Sequence, residues 1–457
     1  MCKRLFLLAS LILVLVGAPS VFGEPIGVFN FSQDIGNVGG TGGARYMATN
    51  QYLVLGAGSD IWGTADEFHF AYNQVSGNVR FEFSPLWDLG GRNEWAKIET
   101  MLRTSTAAGA VTYATAVRRG TDYNAFKKVV DQYVELQARS VENAGMWGAG
   151  ARWSQGIPDN IAIQRVVSGD YQLVQSLVKL PGNADWQVVS NQIVPGLPDQ
   201  LVAGAAVTSH DNRYLVQARL SNVAYTQNPA IVGAKTAGAP LPEACGDTPG
   251  FNIRSLKPEV VPGNWGYAGM ADLLDGVIAG MEEGTRVEQF VNLHDSDGTG
   301  NFGNDQSFPG IDGFQQPTTN PAGTGLFEPD NDDNFATEVL ACIYLKAGLH
   351  VIGANSDDGT IIDIGGVEVA RTPEWKGSDN CDFLIIAPAT GFYSFRARSV
   401  EGGGGSSLEL TEILASGVRV LMGDVANGAS PVYVPEPATI ALLGFGGLAM
   451  LRVRRKR

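Results

Sequence analysis

Two adjacent carboxylates, Asp357-Asp358, are the residues of this chain whose types and spacing best suit a chemical task. Neighbouring carboxylates favour a hard cation such as calcium, which takes about six to eight oxygen ligands. The same pair followed by Gly359 also reads as a tight turn before a strand, with the glycine supplying a positive φ. Two other oxygen-rich runs are weaker candidates. His294-Asp-Ser-Asp-Gly-Thr-Gly-Asn301 opens like an EF-hand loop, with Asp295 first, Asp297 third and Gly300 sixth, but Gln306 stands where the twelfth-position glutamate belongs. Asp330-Asn-Asp-Asp-Asn334 is equally rich in oxygen and equally unspecific, and both runs read better as solvated loops.

Catalysis needs a nucleophile with its base or two converging acids, and neither is legible. His69, His210, His294 and His350 show no helical metal spacing and no Gly-x-Ser-x-Gly partner. His69 and His350 fall inside strand runs, where a satisfied sheet histidine is expected. Glu94 and Glu99 flank Trp95 five residues apart, which places them on opposite faces of a strand. A glycosidase needs its two acids on one bond. The chain is therefore read as non-catalytic. Aromatic rings can also stack on sugars, and Trp62, Trp87, Trp95, Trp147, Trp153 and Trp186 all precede residue 190. Most are expected in the core. Trp147 and Trp153, in the glycine-rich run Ala144-Gly-Met-Trp-Gly-Ala-Gly-Ala-Arg-Trp153, are expected to be exposed ligand contacts, since so flexible a segment rarely builds a core.

These residues must be held by strands. From Glu24 to about Tyr225 short alternating runs recur between glycine-rich turns: Tyr52-Leu-Val-Leu55, Phe68-His-Phe-Ala-Tyr72, Val79-Arg-Phe-Glu-Phe83, Tyr133-Val-Glu-Leu-Gln137, Ala162-Ile-Gln-Arg-Val-Val167 and Val216-Gln-Ala-Arg-Leu220. Period-two alternation at this spacing predicts an antiparallel sandwich. A stretch rich in Ala, Gly and Pro follows, and then Met270, Leu273, Leu274, Val277, Ile278 and Met281 recur with helical spacing, predicting one helix that ends at Gly284. Alternating strands resume from Ala336 to Ile413.

Both ends are apolar and flanked by cations. Lys3 and Arg4 precede the run Leu5 to Val16, and Ala18, Ser20 and Gly23 follow as a cleavage region, the pattern of a secretory signal peptide. At the other end Tyr433-Val-Pro-Glu-Pro437 leads into an apolar run from Ala438 to Leu451 and then Arg452 and Arg454-Arg-Lys-Arg457. That run falls short of the ~20 residues that span a bilayer comfortably. Three parts in this order resemble the PEP-CTERM signal of exported bacterial proteins, which implies a sorting machinery as partner and transient membrane anchoring. The whole sequence carries a net charge of −15; without Lys3, Arg4, the five C-terminal cations and Glu436 it falls near −21. Such a surface excludes nucleic acid as a partner. It favours solubility and divalent cations. With Cys2 in the signal peptide, Cys245, Cys342 and Cys381 allow at most one intrachain disulfide. Cys342 with Cys381 is the natural pair because both lie in one domain, and three unpaired thiols are equally compatible.

Two further resemblances concern the body of the chain. Asp60-Ile-Trp-Gly-Thr-Ala-Asp-Glu-Phe-His-Phe-Ala-Tyr72, Trp95-Ala-Lys-Ile-Glu-Thr-Met-Leu-Arg103 and Ala206-Val-Thr-Ser-His-Asp-Asn212 resemble motifs of concanavalin A-like, laminin-G-related jelly rolls, with Asp122 to Gln132 as an extra loop. The Glu-x-Asp-x-x-Glu strand of that superfamily's laminarinase-type enzymes has no match here. Ala341 to Gly366, with its Ser356-Asp-Asp-Gly359 signature, resembles the core of the protective-antigen-type β-sandwich of toxins, glycosidases and adhesins, and Gly391-Phe-Tyr-Ser-Phe-Arg-Ala-Arg398 extends the match. In the adhesin branch the resemblance implies that the aspartate pair binds a calcium ion which also coordinates sugar hydroxyls. The expected organisation is all-β: a signal peptide (1–23), a jelly-roll domain (24–228), a linker (229–262), a protective-antigen-like β-sandwich with a leading helix (263–416), a second linker (417–432) and a sorting signal (433–457). The expected function is an exported, envelope-associated, non-catalytic protein that binds polysaccharide or a cell-surface glycan through Trp147, Trp153, Asp357 and Asp358, with calcium on the aspartates. A spacer or assembly component of the surface matrix is the first alternative, and a glycan-degrading enzyme the second.

Overall fold

A computed structural model describes residues 26–89, 93–118, 132–154, 158–242, 245–294 and 333–436. It is nearly all β, in two sandwiches. The first sandwich uses β1 (Phe31–Ile35), β2 (Gly43–Ala48), β3 (Gln51–Gly56), β4 (Phe68–Val75), β5 (Val79–Leu89), β6 (Lys97–Arg103) and β7 (Thr112–Arg118). It continues with β8 (Gln132–Arg139), β9 (Trp147–Ser154), β10 (Asn160–Ser168), β11 (Tyr171–Lys179), β12 (Gln187–Ile193), β13 (Leu201–Thr208) and β14 (Val216–Gln227). One sheet runs β1-β4-β13-β6-β7-β8-β9 and the facing sheet β12-β11-β10-β5-β14-β3-β2.

Alternation explains the core. Val79, Phe81 and Phe83 of β5 meet Ile98 and Leu102 of β6 and Ile161 and Ile163 of β10 between the sheets, all fully or almost fully buried. The other face of β6 is covered as well, because Met101 joins Ile61, Phe68, Phe70 and Met146 in a smaller outer core. Every residue of β6 is therefore buried, including Lys97, Glu99 and Arg103. Asp66 answers part of that charge: its carboxylate accepts from Arg103 at 2.6 Å and from two nitrogens of Arg139 at 2.7 Å, with all three side chains fully buried.

The second sandwich begins inside the stretch expected to be a linker. There β15 (Lys235–Thr236) and β16 (Phe251–Pro258) are followed by α1 (Tyr267–Leu274), β17 (Gly280–Glu288), β18 (Asn292–His294), β19 (Ala336–Leu345) and β20 (Gly348–Asp357). The chain then forms β21 (Thr360–Ile364), β22 (Val367–Arg371), β23 (Asp379–Ala387), β24 (Gly391–Val400), β25 (Ser407–Ile413), β26 (Arg419–Leu421) and β27 (Val432–Tyr433). Its sheets run β15-β23-β20-β25-β18 and β17-β16-β19-β24-β21-β22, with β26 on β25 and β27 on β19. Segments 229–262 and 417–432 thus supply strands to the sandwich rather than linking domains.

Two further expectations change. The helix stops at Leu274, with Gly276 at φ 71° and the Asp272 carbonyl accepting from both Val277 and Ile278, so Val277 is exposed and the chain turns into β17. The disulfide joins Cys245 to Cys342, and Cys381 is free: Cys342 is fully buried on β19, beside the strand to which the Cys245 segment leads. Closing a loop across 97 residues should stabilise the fold by roughly 4–5 kcal/mol by restricting the unfolded chain. Cys245→Ser is expected to lower the urea midpoint of the second sandwich accordingly, and Cys381→Ser to leave it in place. The signal peptide, the Asp122–Gln132 insertion up to residue 131, most of both acidic loops and the apolar C-terminal run lie outside the described residues. Among the described residues no helix is long and apolar enough to cross a membrane.

The sandwiches pack on each other. Tyr171 and Leu173 of the first form one apolar cluster with Leu349, Val351 and Leu384 of the second. The turn Ser168-Gly-Asp170 lies against Gly348, where a side chain would strike the Gly169 backbone, and the Ser168 hydroxyl accepts from the Leu349 N–H at 3.1 Å.

Candidate functional site

Asp357 closes β20 at the centre of its sheet, paired with Ser407 of β25, while Asp358 lies in the step that carries the chain into β21 of the opposite sheet. The peptide between them is cis. Gly359 does not take the expected positive φ; its packing is the constraint, since a side chain there would meet the Tyr267 hydroxyl and the Glu374 carbonyl. Glu401 arrives from the end of β24, so the site forms where strands of both sheets run out together. Asp357, Asp358 and Glu401 each place a carboxylate oxygen within 4.8 Å of the others. Oxygens on one calcium ion, at ~2.3–2.6 Å from it, are at most about 5 Å apart, so the cluster fits such an ion.

The surrounding backbone fixes each carboxylate. Asp358 accepts N–H bonds from Lys376 at 3.0 Å and Gly402 at 3.1 Å, Asp357 from Ser378 at 3.2 Å, and Glu401 from Gly403 at 2.8 Å. The second oxygen of Glu401 is buried without a hydrogen-bond partner. Lys376 spends its ammonium on the Ser356 and Asp379 carbonyls rather than on the acids. Burial, then the charges of Asp358 and Asp357, push the Glu401 carboxyl up to about 9. Burial and then Asp358 also raise Asp357. Three acids competing for the charged state are what a divalent cation would relieve.

The helix serves this site. Trp265, two residues before its start, donates its indole N–H to the Glu401 carbonyl at 3.0 Å, and the hydroxyl of its first residue, Tyr267, donates to the Thr372 carbonyl at 2.9 Å. The loop so held carries Trp375, half exposed and packed on Gly402, an aromatic face next to the acids. Neither Glu401 nor Trp375 was a candidate from sequence spacing. The only local signal was Glu401 standing before four glycines, Gly402 to Gly405.

The other candidates are elsewhere. Trp147 lies in β9, half-buried against the first core and donating to the Ser140 hydroxyl at 3.2 Å, so the exposure expected for a flexible segment gives way to strand pairing with β8. Trp153 is in the same strand, paired with Tyr133, and its side chain lies outside the described residues. Trp62 and Trp95, expected in the core, are instead exposed. His69 is satisfied by Asp34 at 2.7 Å and Ser32 at 2.8 Å, and His350 by the Lys346 carbonyl at 2.8 Å. Glu94 precedes β6 rather than sharing it, and Glu99 is fully buried with neither oxygen partnered and its carboxyl pushed up to about 8, first by burial.

Residues 434–456 match the PEP-CTERM protein-sorting motif, which marks an exported protein of the bacterial cell envelope and implies sorting machinery acting at this end. No curated protein is similar to the chain. Among solved structures it is similar to the PA14 sugar-binding domain from an RTX adhesin (18% identity, TM-score 0.30, 38% of this chain and 96% of that one). It is also similar to the PA14 domain of the MpAFP antifreeze protein (15%, 0.30, 43% and 97%). A third is the epithelial adhesin 9 A domain of Candida glabrata in complex with Galb1-3GlcNAc (12%, 0.29, 44% and 98%).

Proposed function

We propose that the protein is an exported, envelope-associated and non-catalytic glycan-binding protein, in which Asp357, Asp358 and Glu401 hold a calcium ion beside the Trp375 ring. The observation that carries this reading is the three-carboxylate cluster, held by backbone donors, while the nearby Lys376 ammonium bonds backbone carbonyls and not the acids. The ion would supply open positions for vicinal sugar hydroxyls, and Trp375 a face for the ring. A protective-antigen-like second sandwich and a jelly-roll first one are part of the same proposal.

Calcium should displace the proton that Glu401 holds near neutral pH. Titration by calorimetry at pH 7.5 in buffers of different ionisation enthalpy is expected to show close to one proton released per ion, with affinity falling as the pH drops. The sign for stability is fixed by the same raised value. The folded state favours protonated Glu401, so without calcium its contribution is complete below about pH 4.5 and is lost as the pH rises towards 9. Calcium should therefore raise the melting temperature more at pH 8.5 than at pH 6. A glycan array probed with calcium and with chelator tests the ligand: binding lost on chelation supports the site, whereas inertness in both conditions would leave a spacer role as the better account.

A further inference from the structure

Between the two sandwiches lies a cavity of about 440 Å³, within the range of small-molecule sites, with walls more apolar than polar. Its aromatic side is built by Tyr171, from the first sandwich, and His350, from the second, with ring centroids 6.0 Å apart. The Tyr171 hydroxyl donates to the Ile413 carbonyl at 2.9 Å, which holds that wall in place. Glu412 of β25 also lines the cavity, about 3% exposed. Its carboxyl accepts only from the Ser430 N–H at 3.2 Å and the Ser430 hydroxyl at 2.9 Å. Among the described residues no cation pairs with it: Lys346, at the rim, is bound to Asp170 at 2.8 Å.

We propose that this interdomain cavity is a second ligand site, separate from the Asp357-Asp358-Glu401 cluster, for a ring-sized ligand bearing a primary amine, of the amino-sugar class, whose ammonium pairs with Glu412. Charge, shape and surface agree. Asp170 and Lys346 cancel, burial disfavours a charge on His350, and Glu412 leaves the lining negative whenever it ionises. Burial raises the Glu412 carboxyl to about 7, so an ammonium beside it supplies the missing counter-charge. The apolar walls, backed by the packed Tyr171 and His350 rings, take the body of a pyranose.

The probe is a glucosamine trimer, compared with its N-acetylated form and with a glucose trimer, titrated into the whole mature protein. Saturable one-to-one binding of the amine-bearing trimer, weakened roughly tenfold or more by Glu412→Gln and by filling the cavity with Ala415→Trp, is the expected result. Asp358→Asn should not weaken it, which separates this site from the calcium reading. Equal binding of the acetylated trimer, unchanged binding by either variant, or no saturable binding would overturn the proposal. Thermal unfolding of Glu412→Gln and Ala415→Trp shows whether each variant is folded, and a loss counts only in a folded one.

Discussion

Asp358→Asn is expected to remove the proposed calcium binding and, with it, retention on the glycans held through that ion. The substitution keeps the side chain's shape and an oxygen to accept from Lys376 or Gly402, so the loop should stay in place. What goes is one of the three carboxylates proposed to hold the ion. Losing a direct ligand should cost more than the 10- to 100-fold that outer-shell changes cost, so the affinity should fall by about 100-fold or more. Calorimetry with calcium and the chelator-controlled array read the two losses separately. Calcium affinity within threefold of the parent protein would mean that the aspartates shape a turn and hold no ion. Array binding that survives the loss of calcium would move recognition to another surface, such as the exposed Trp62 and Trp95.

A second substitution should have the largest effect on stability. Asp66→Asn leaves the guanidiniums of Arg103 and Arg139 facing a neutral amide in a place with no access to water. Removing one member of a buried ion network costs about 3–5 kcal/mol, because the remaining charge stays desolvated and unpaired. In a domain of this size that corresponds to a fall in melting temperature on the order of 10 °C. The carbonyls of Gly63, Ser105, Ala107, Ala108, Ala110 and Ala144 already accept from these two arginines and offer partial relief. A loss below about 1 kcal/mol would show that such carbonyls suffice and that Asp66 is not the anchor of the outer core. The second sandwich should unfold unchanged, and calcium binding should be unaffected.

The strands were legible because their chemistry is local. Val79 to Phe83 and Ala162 to Val167 alternate in a way that only a half-buried or doubly covered strand explains, and they became β5 and β10. The aspartate pair was legible for the same reason. What sequence spacing could not reach depends on contacts far along the chain. Glu401 joins Asp358 from 43 positions away because β24 happens to end there, and Cys342 finds Cys245 across 97 residues rather than Cys381 on β23. The helix was overextended because the apolar spacing of Val277 and Ile278 persists past a glycine that had already turned the backbone. β6 misleads in another way: Lys97, Glu99 and Arg103 alternate like a solvent face, yet a second, outer core closes over them. Trp62 and Trp95 show the converse, aromatic residues whose hydrophobicity argued for burial but whose loops carry them outward.

The last strand, β27, is only Val432 and Tyr433, paired with Ile343 and Cys342 of β19. The sorting motif starts at the next residue, 434. The chain therefore enters the motif from a point held twice, by a strand pairing and by a covalent cross-link on the same residue, Cys342, and the first residues of the motif stay on the body, with Val434 donating to the Thr248 carbonyl at 2.7 Å and Pro435 buried. A protein held at a surface by such a tail hangs from a bolted eyelet rather than from a loose thread. Tension entering at Tyr433 is passed directly into β19 and spread over β16 and β24 on either side. A pull on the motif is therefore met first by the sheet that holds Cys342 and not by a lone loop.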